Sequence, residues 1–161
     1  MGTPDTVELR LKIVALAKAE RAARTPYVYG AQTLGKAVDC SGLIIAIWAH
    51  LDMVPLNFDD TAHGLYHSYP PVRLDQLEGG DLVFFARGRS SPRGPGYRVG
   101  HVAIYTGQDA NHARYIIHAA GGGPGVVSAA IARLRRAHVK QQSLFCRRDL
   151  VGFASIDRLL K

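Results

Sequence analysis

The chain has 161 residues, 47% of them hydrophobic and 20% charged, with a formal net charge of +7. That length suits one domain, residues 1–161, able to bury a core without disulfides or a structural metal. The apolar run Leu43 to Trp48 falls far short of the roughly 20 residues of a transmembrane helix, so no membrane span is expected.

Two cysteines, Cys40 and Cys146, are expected to be free, and no Cys/His set has zinc-binding spacing. The segment Met1 to Asp5 lacks the basic and apolar regions of a signal peptide. The expectation is therefore a cytoplasmic protein, one delivered by a non-classical route such as a phage tail or toxin system, or a chain whose export segment is not part of this sequence. The positive charge is unevenly placed. Arg87, Arg89, Arg93 and Arg98 fall in one loop, and Arg133, Arg135, Arg136, Lys140, Arg147 and Arg148 in the C-terminal third. Such a surface suits an anionic polymer (nucleic acid, anionic lipid or a wall rich in carboxylates and phosphates), or it is simply a solvated basic face.

Thr3-Pro4 reads as an N-cap followed by proline at the first helical position. Leu9, Ile13, Leu16 and Ala17 recur at helical spacing, predicting an amphipathic helix to about Ala23. Tyr27, Val28 and Tyr29 form a short extended segment before a loop with Gly30, Gly35 and Lys36. Asp39 or Ser41 can cap a second helix running to about Leu51. Pro55, Asn57 and Asp59-Asp60 mark a loop, Thr61 to Ser68 a short helix, and Pro70-Pro71 its stop. From Gly79 the periodicity changes. Asp81 to Phe85 and Val99 to Thr106 read as strands around an exposed Gly/Pro/Ser-rich loop, Arg87 to Arg98, expected to overhang one end of a cleft. Tyr115 to Ala119 is a third strand and Val126-Val127 a short one. Ser128 to His138 is a helix or an irregular segment, and Leu150 to Ile156 the last strand. Helices first and antiparallel strands after define an α+β domain, with the N-terminal helices packed on one face of a central antiparallel sheet.

The candidate chemistry centres on Cys40, at the start of the second helix. Unpaired N–H groups and the positive end of the helix dipole there favour a thiolate, as a nucleophile requires; a buried structural cysteine is the alternative. His101 opens one strand and His118 closes the next. Antiparallel pairing through the turn near Gly107 to Asn111 makes the two histidines neighbours, the layout of a Cys–His–polar triad. His50, His63, His67, His112 and His138 follow no such pattern and read as surface or structural.

Tyr27-Val28-Tyr29-Gly30, Asp39-Cys40-Ser41-Gly42-Leu43, Gly80-Asp81-Leu82-Val83-Phe84-Phe85, His101-Val102-Ala103-Ile104-Tyr105 and Ile117-His118-Ala119 together resemble the successive motifs of NlpC-type cell-wall peptidases. The resemblance runs from about residue 8 to 156. It implies a papain-like α+β fold and a cysteine endopeptidase hydrolysing peptidoglycan stem peptides, usually between D-glutamate and the diamino acid. No metal or organic cofactor is implied, the partner is peptidoglycan or a muropeptide rather than nucleic acid, and a monomer is the expected state. By matching position, Cys40 is the nucleophile, His101 the general base and acid, and His118 the group orienting His101. Tyr27, Asp39 and Ser41 match substrate-binding positions, although Tyr27 also suits a half-buried strand aromatic, and Asp39 and Ser41 helix caps. Ala31 stands where the family often has a second glycine, the Gly30 to Cys40 loop is one residue longer than usual, and the Arg87 to Arg98 loop is extended. Two rivals remain: a papain-like acyltransferase or amidase acting on another substrate, and a non-enzymatic basic module binding wall or nucleic acid.

Overall fold

The computed structural model describes residues 4–86 and 98–161. Thr3 of the expected first cap, and Arg87, Arg89 and Arg93 of the basic loop, lie outside the described residues. Helix α1 spans Pro4–Ala22, and α2, Cys40–His50, follows a loop containing the two-residue strands β1, Gln32–Thr33, and β2, Ala37–Val38. Helix α3 is Ala62–Ser68, with the Thr61 hydroxyl accepting the Gly64 N–H as its cap. Then come β3, Pro71–Val72, β4, Leu82–Ala86, β5, Val99–Gln108, and β6, Arg114–Ala120. The short helix α4, Ala129–Arg135, precedes β7, His138–Ser143, and β8, Leu150–Ala154.

Six of these strands form one antiparallel sheet in the order β3-β8-β4-β5-β6-β7. Alternation along the strands divides it into two faces. Leu82, Phe84, Val102, Ile104 and Ile117 pack with Ile13 of α1 and with Leu43, Ile44, Ile47 and Trp48 of α2. Val83, Phe85, Ala103, Tyr105 and Ile116 form a smaller cluster on the other face. The helices thus cover one face, as the order of elements predicts. A helix as apolar as α2 is almost wholly buried, with Ile47 fully enclosed and Trp48 in ring contact with Tyr69 at 5.4 Å.

The short extended segment around Tyr27 joins the fold through isolated bridges, Pro26 to His138 and Tyr27 to Val38. One expectation is corrected. Val126-Val127 follows a turn at Pro124-Gly125 and is not a strand. The Val126 N–H donates back to the Gly123 carbonyl, and the buried Val126 only lends its own carbonyl to the Tyr29 N–H.

Arg10 fastens α1 to the sheet. Its guanidinium donates to Asp81 Oδ1 and to the Gly79 carbonyl, both at 2.9 Å, and to Asp157 Oδ1 at 2.5 Å. Asp81, 1% exposed, also accepts the N–H groups of Glu78 and Ile156. Removing one partner of such a pair strands the other charge in the interior. Arg10→Met is therefore expected to cost about 3 kcal/mol of unfolding free energy, measured by urea denaturation. A loss within experimental error would show that Arg10 does not anchor α1.

Candidate active site

Helix α2 begins at Cys40 because Asp39 caps it. Asp39 Oδ1 accepts the Gly42 N–H at 2.7 Å and Oδ2 accepts the Gly30 N–H at 2.9 Å, so one carboxylate holds both the first turn and the start of the preceding loop. The Ser41 hydroxyl donates to Asp39 Oδ1 at 3.4 Å. A Cβ on Gly42 would stand 2.0 Å from the Ala31 carbonyl oxygen, so only glycine lets the loop pass this close to the helix. The same carbonyl accepts the Asp39 N–H at 2.8 Å.

These constraints put the Cys40 sulfur 4.0 Å from the carbonyl oxygen of Gly100, the residue before His101. Burial, and then the Asp39 carboxylate, push the thiol up to about 11, against an opposing contribution from the backbone N–H groups of Val102, Ser41 and Cys40. This reverses the expectation of a thiol depressed by the helix start. The N–H groups act in the predicted direction, but desolvation of the sulfur outweighs them. Cys40 and Cys146 are both free thiols.

The two histidines are brought together as the strand pairing predicts. His101 Nε2 lies 2.7 Å from His118 Nδ1, with both rings buried. The pairing of Ile104 with Ile117 carries His118 toward the start of β5. His101 shares a face with Phe85, its cross-strand partner, whose ring is 5.7 Å away. Beyond His118 the chain of contacts continues, because its Nε2 lies 2.6 Å from Gln142 Oε1 on β7. Burial first, then His118 and Arg147, hold His101 well below the usual histidine range. Burial also brings His118 down to about 4, opposed by the bond to Gln142 and reinforced by Arg147 and Lys140. At neutral pH both rings are uncharged.

Cys40, His101 and His118 line one cleft of about 980 Å³ with Tyr27, Asp39, Ser41 and Gln142. Tyr27 is buried; burial and then Cys40 and Asp39 raise its phenol above the ordinary value. Gly122 passes so close to the Tyr27 ring that a Cβ there would lie 2.1 Å from Cδ1. Asp59 and Asp60 line the cleft along with Asp39, and so do Arg98, Lys140 and Arg147. His63, expected at the surface or in a structural role, lines it as well, its Nδ1 accepting the Val99 N–H at 3.3 Å.

Gln142 was not a candidate from the sequence. The segment His138 to Ser143 has one fully buried apolar residue, Val139, and no clear alternation, so neither the strand nor its inward glutamine announces itself. A second cavity, of about 1080 Å³, lies beside α1, β3 and the C-terminus and includes the Arg10–Asp81 pair. Among the described residues, no group of three or more His, Cys, Asp or Glu side chains is arranged to hold a metal. No helix there is long and apolar enough to cross a membrane.

A capped cysteine at the head of a buried helix shares one cleft with two hydrogen-bonded histidines of an antiparallel sheet. The sequence model of the NlpC/P60 family matches residues 24–148, and the chain belongs to that family. No individually curated protein matches. Among solved structures, an NlpC/P60 family protein from Bacillus cereus is similar over 91% of this chain and 39% of its own, with 20% identity and a TM-score of 0.66. The present chain thus spans about two fifths of that protein's length. The NlpC/p60 domain of the peptidoglycan hydrolase SagA is similar at 24% identity and a TM-score of 0.60, over 91% of this chain and 98% of that one. RipD from Mycobacterium tuberculosis, described as a non-catalytic NlpC/p60 domain protein adapted to binding peptidoglycan, is 14% identical, covering 92% and 97%, with a TM-score of 0.60. At these identities the neighbours establish the fold.

Two outcomes follow from the electrostatics. The rate of Cys40 alkylation by iodoacetamide should keep rising with pH toward about 11; a plateau reached by pH 7 would reveal a resting thiolate–imidazolium pair instead. Stability should fall on acidification. Unfolded histidine takes a proton near pH 6.5, whereas native His118 resists until about 4. Between those values the unfolded chain binds the extra proton, so the His118 contribution is intact above pH 6.5 and is lost as pH falls toward 4. Melting temperature should therefore drop less between pH 7 and 4.5 in His118→Asn than in wild type, and equal drops would contradict a buried neutral imidazole.

Proposed function

We propose that this domain is a cysteine endopeptidase that hydrolyses peptidoglycan stem peptides, at the bond between D-glutamate and the diamino acid. The observation that carries the reading is the cleft itself, where a thiol at a helix N-terminus shares a wall with an uncharged, hydrogen-bonded histidine pair. Membership of the NlpC/P60 family supports peptidoglycan as the substrate class.

In this mechanism Cys40 Sγ attacks the scissile carbonyl while its proton passes to Nδ1 of His101. Because the resting thiol and imidazoles are neutral, proton transfer accompanies attack rather than preceding it. The carbonyl oxygen gains negative charge and is stabilised by N–H groups at the start of α2. The tetrahedral intermediate collapses, the C–N bond breaks, and the imidazolium of His101 delivers the proton to the leaving amine. Water, deprotonated by His101, then cleaves the thioester and regenerates the thiol. His118 holds the ring of His101. Tyr27, Asp39 and Ser41 form the substrate-binding wall, with the acidic side of the cleft suited to a peptide ammonium group. Asp39 serves there in addition to its capping bonds.

The test is incubation with defined muropeptides and mass analysis of the products. Cys40→Ala should lower turnover by at least roughly a thousandfold while keeping the fold, and His101→Ala should cost more than His118→Ala. Substantial turnover by Cys40→Ala would sink the mechanism. The similarity to RipD supports one alternative, a wall-binding module; muropeptides bound but left uncut by the wild type would favour it.

A further inference from the structure

We propose that Gln142 is a positioning residue that sets the tautomers of both site histidines, leaving Nδ1 of His101 free to take the thiol proton. This rests on the reading of His101 as the general base.

A chain of two neutral histidines has no direction of its own. With Nε2–H of His101 donating to Nδ1 of His118, His101 keeps a lone pair on Nδ1. In the reverse sense, Nδ1–H of His118 donates to Nε2 of His101, and the His101 proton must sit on Nδ1. Each arrangement makes one hydrogen bond between the rings, but only the first leaves a base facing the cleft. The 2.7 Å contact between the rings is compatible with both.

The next residue out breaks the tie. Gln142 Oε1 is 2.6 Å from Nε2 of His118. A carbonyl oxygen only accepts, so that nitrogen carries the proton and Nδ1 of the neutral ring does not. Nδ1 must then accept from Nε2–H of His101, and Nδ1 of His101 is left bare. Lys140 and Arg147, which line the same part of the cleft, are cations that keep His118 from taking a second proton and losing its acceptor. Lys140 lies opposite His118 in the β6–β7 register, and Arg147 is paired with Asp149. Once His101 has taken the thiol proton, its Nε2–H bond to His118 is unchanged, so the imidazolium forms without rearrangement of the chain.

The test reads the tautomers directly, by nitrogen NMR of histidine-labelled protein without substrate, alongside steady-state kinetics on a muropeptide. In the wild type both rings should carry their proton on Nε2. Gln142→Leu, similar in size but without an acceptor, should lose that preference and lower kcat roughly a hundredfold with KM little changed. Gln142→Glu, an acceptor only, should keep both tautomers and recover most of kcat, with the acid limb of the pH profile moved upward as the carboxylate favours protonated His118. This second variant also guards against a Leu variant that merely misfolds. A folded Gln142→Leu protein in which both histidines stay protonated on Nε2 overturns the proposal. Failure of the underlying reading would appear elsewhere, as turnover retained by His101→Ala, because the NMR measurement needs no activity.

Discussion

The carboxylate of Asp39 is the contact on which the site depends. It takes the Gly30 N–H on one oxygen and the Gly42 N–H on the other, closing the intervening loop against the first turn of α2. Its own N–H is held by the Ala31 carbonyl, and the missing side chain of Gly42 lets that carbonyl approach. Cys40 therefore has no freedom in where its helix starts. The price is electrostatic, because the anion that positions the thiol also opposes its ionisation.

That opposition decides the resting state of the cleft. A helix N-terminus stabilises a thiolate through oriented N–H groups, and such groups do surround the sulfur. Removing the sulfur from water acts the other way and is the larger effect. The histidines obey the same rule, losing affinity for protons as they are enclosed. The two histidines and Gln142 are thus polar groups joined by short hydrogen bonds, the imidazoles uncharged, a low-energy way to bury them. Under the proposed function, charge separates only when substrate is present to receive the thiolate.

Two further buried contacts hold the scaffold around this cleft. Arg10 joins α1 to the start of β4 and to the C-terminal segment through Asp81 and Asp157. Glu20, also buried, accepts from the Thr25 hydroxyl and the Gly35 N–H, tying the end of α1 to the loop that leads into Cys40. Asp81 belongs to Gly80 to Phe85, one of the segments in which the sequence resembles NlpC-type peptidases. Its contacts give it a structural role, remote from the thiol.

What the sequence determined by itself was everything carried by local pattern. The apolar run behind Asp39-Cys40 predicts α2, the segment Thr61 to Ser68 predicts α3, and the runs beginning at Asp81, Val99 and Tyr115 predict β4, β5 and β6 within a few residues. Alternation also placed His101 on the face opposite Val102, and antiparallel pairing made His118 its neighbour, because strand geometry is periodic and local. Only the tertiary structure decided the rest. Strand β7 is polar because it borders a cleft, and Gln142 gains its role solely from lying 24 residues beyond His118 on the adjacent strand. The thiol's resistance to ionisation likewise depends on how deeply the fold encloses it. Sequence spacing reports which groups can meet along a helix or strand; desolvation and long-range hydrogen bonds exist only once the layers have packed.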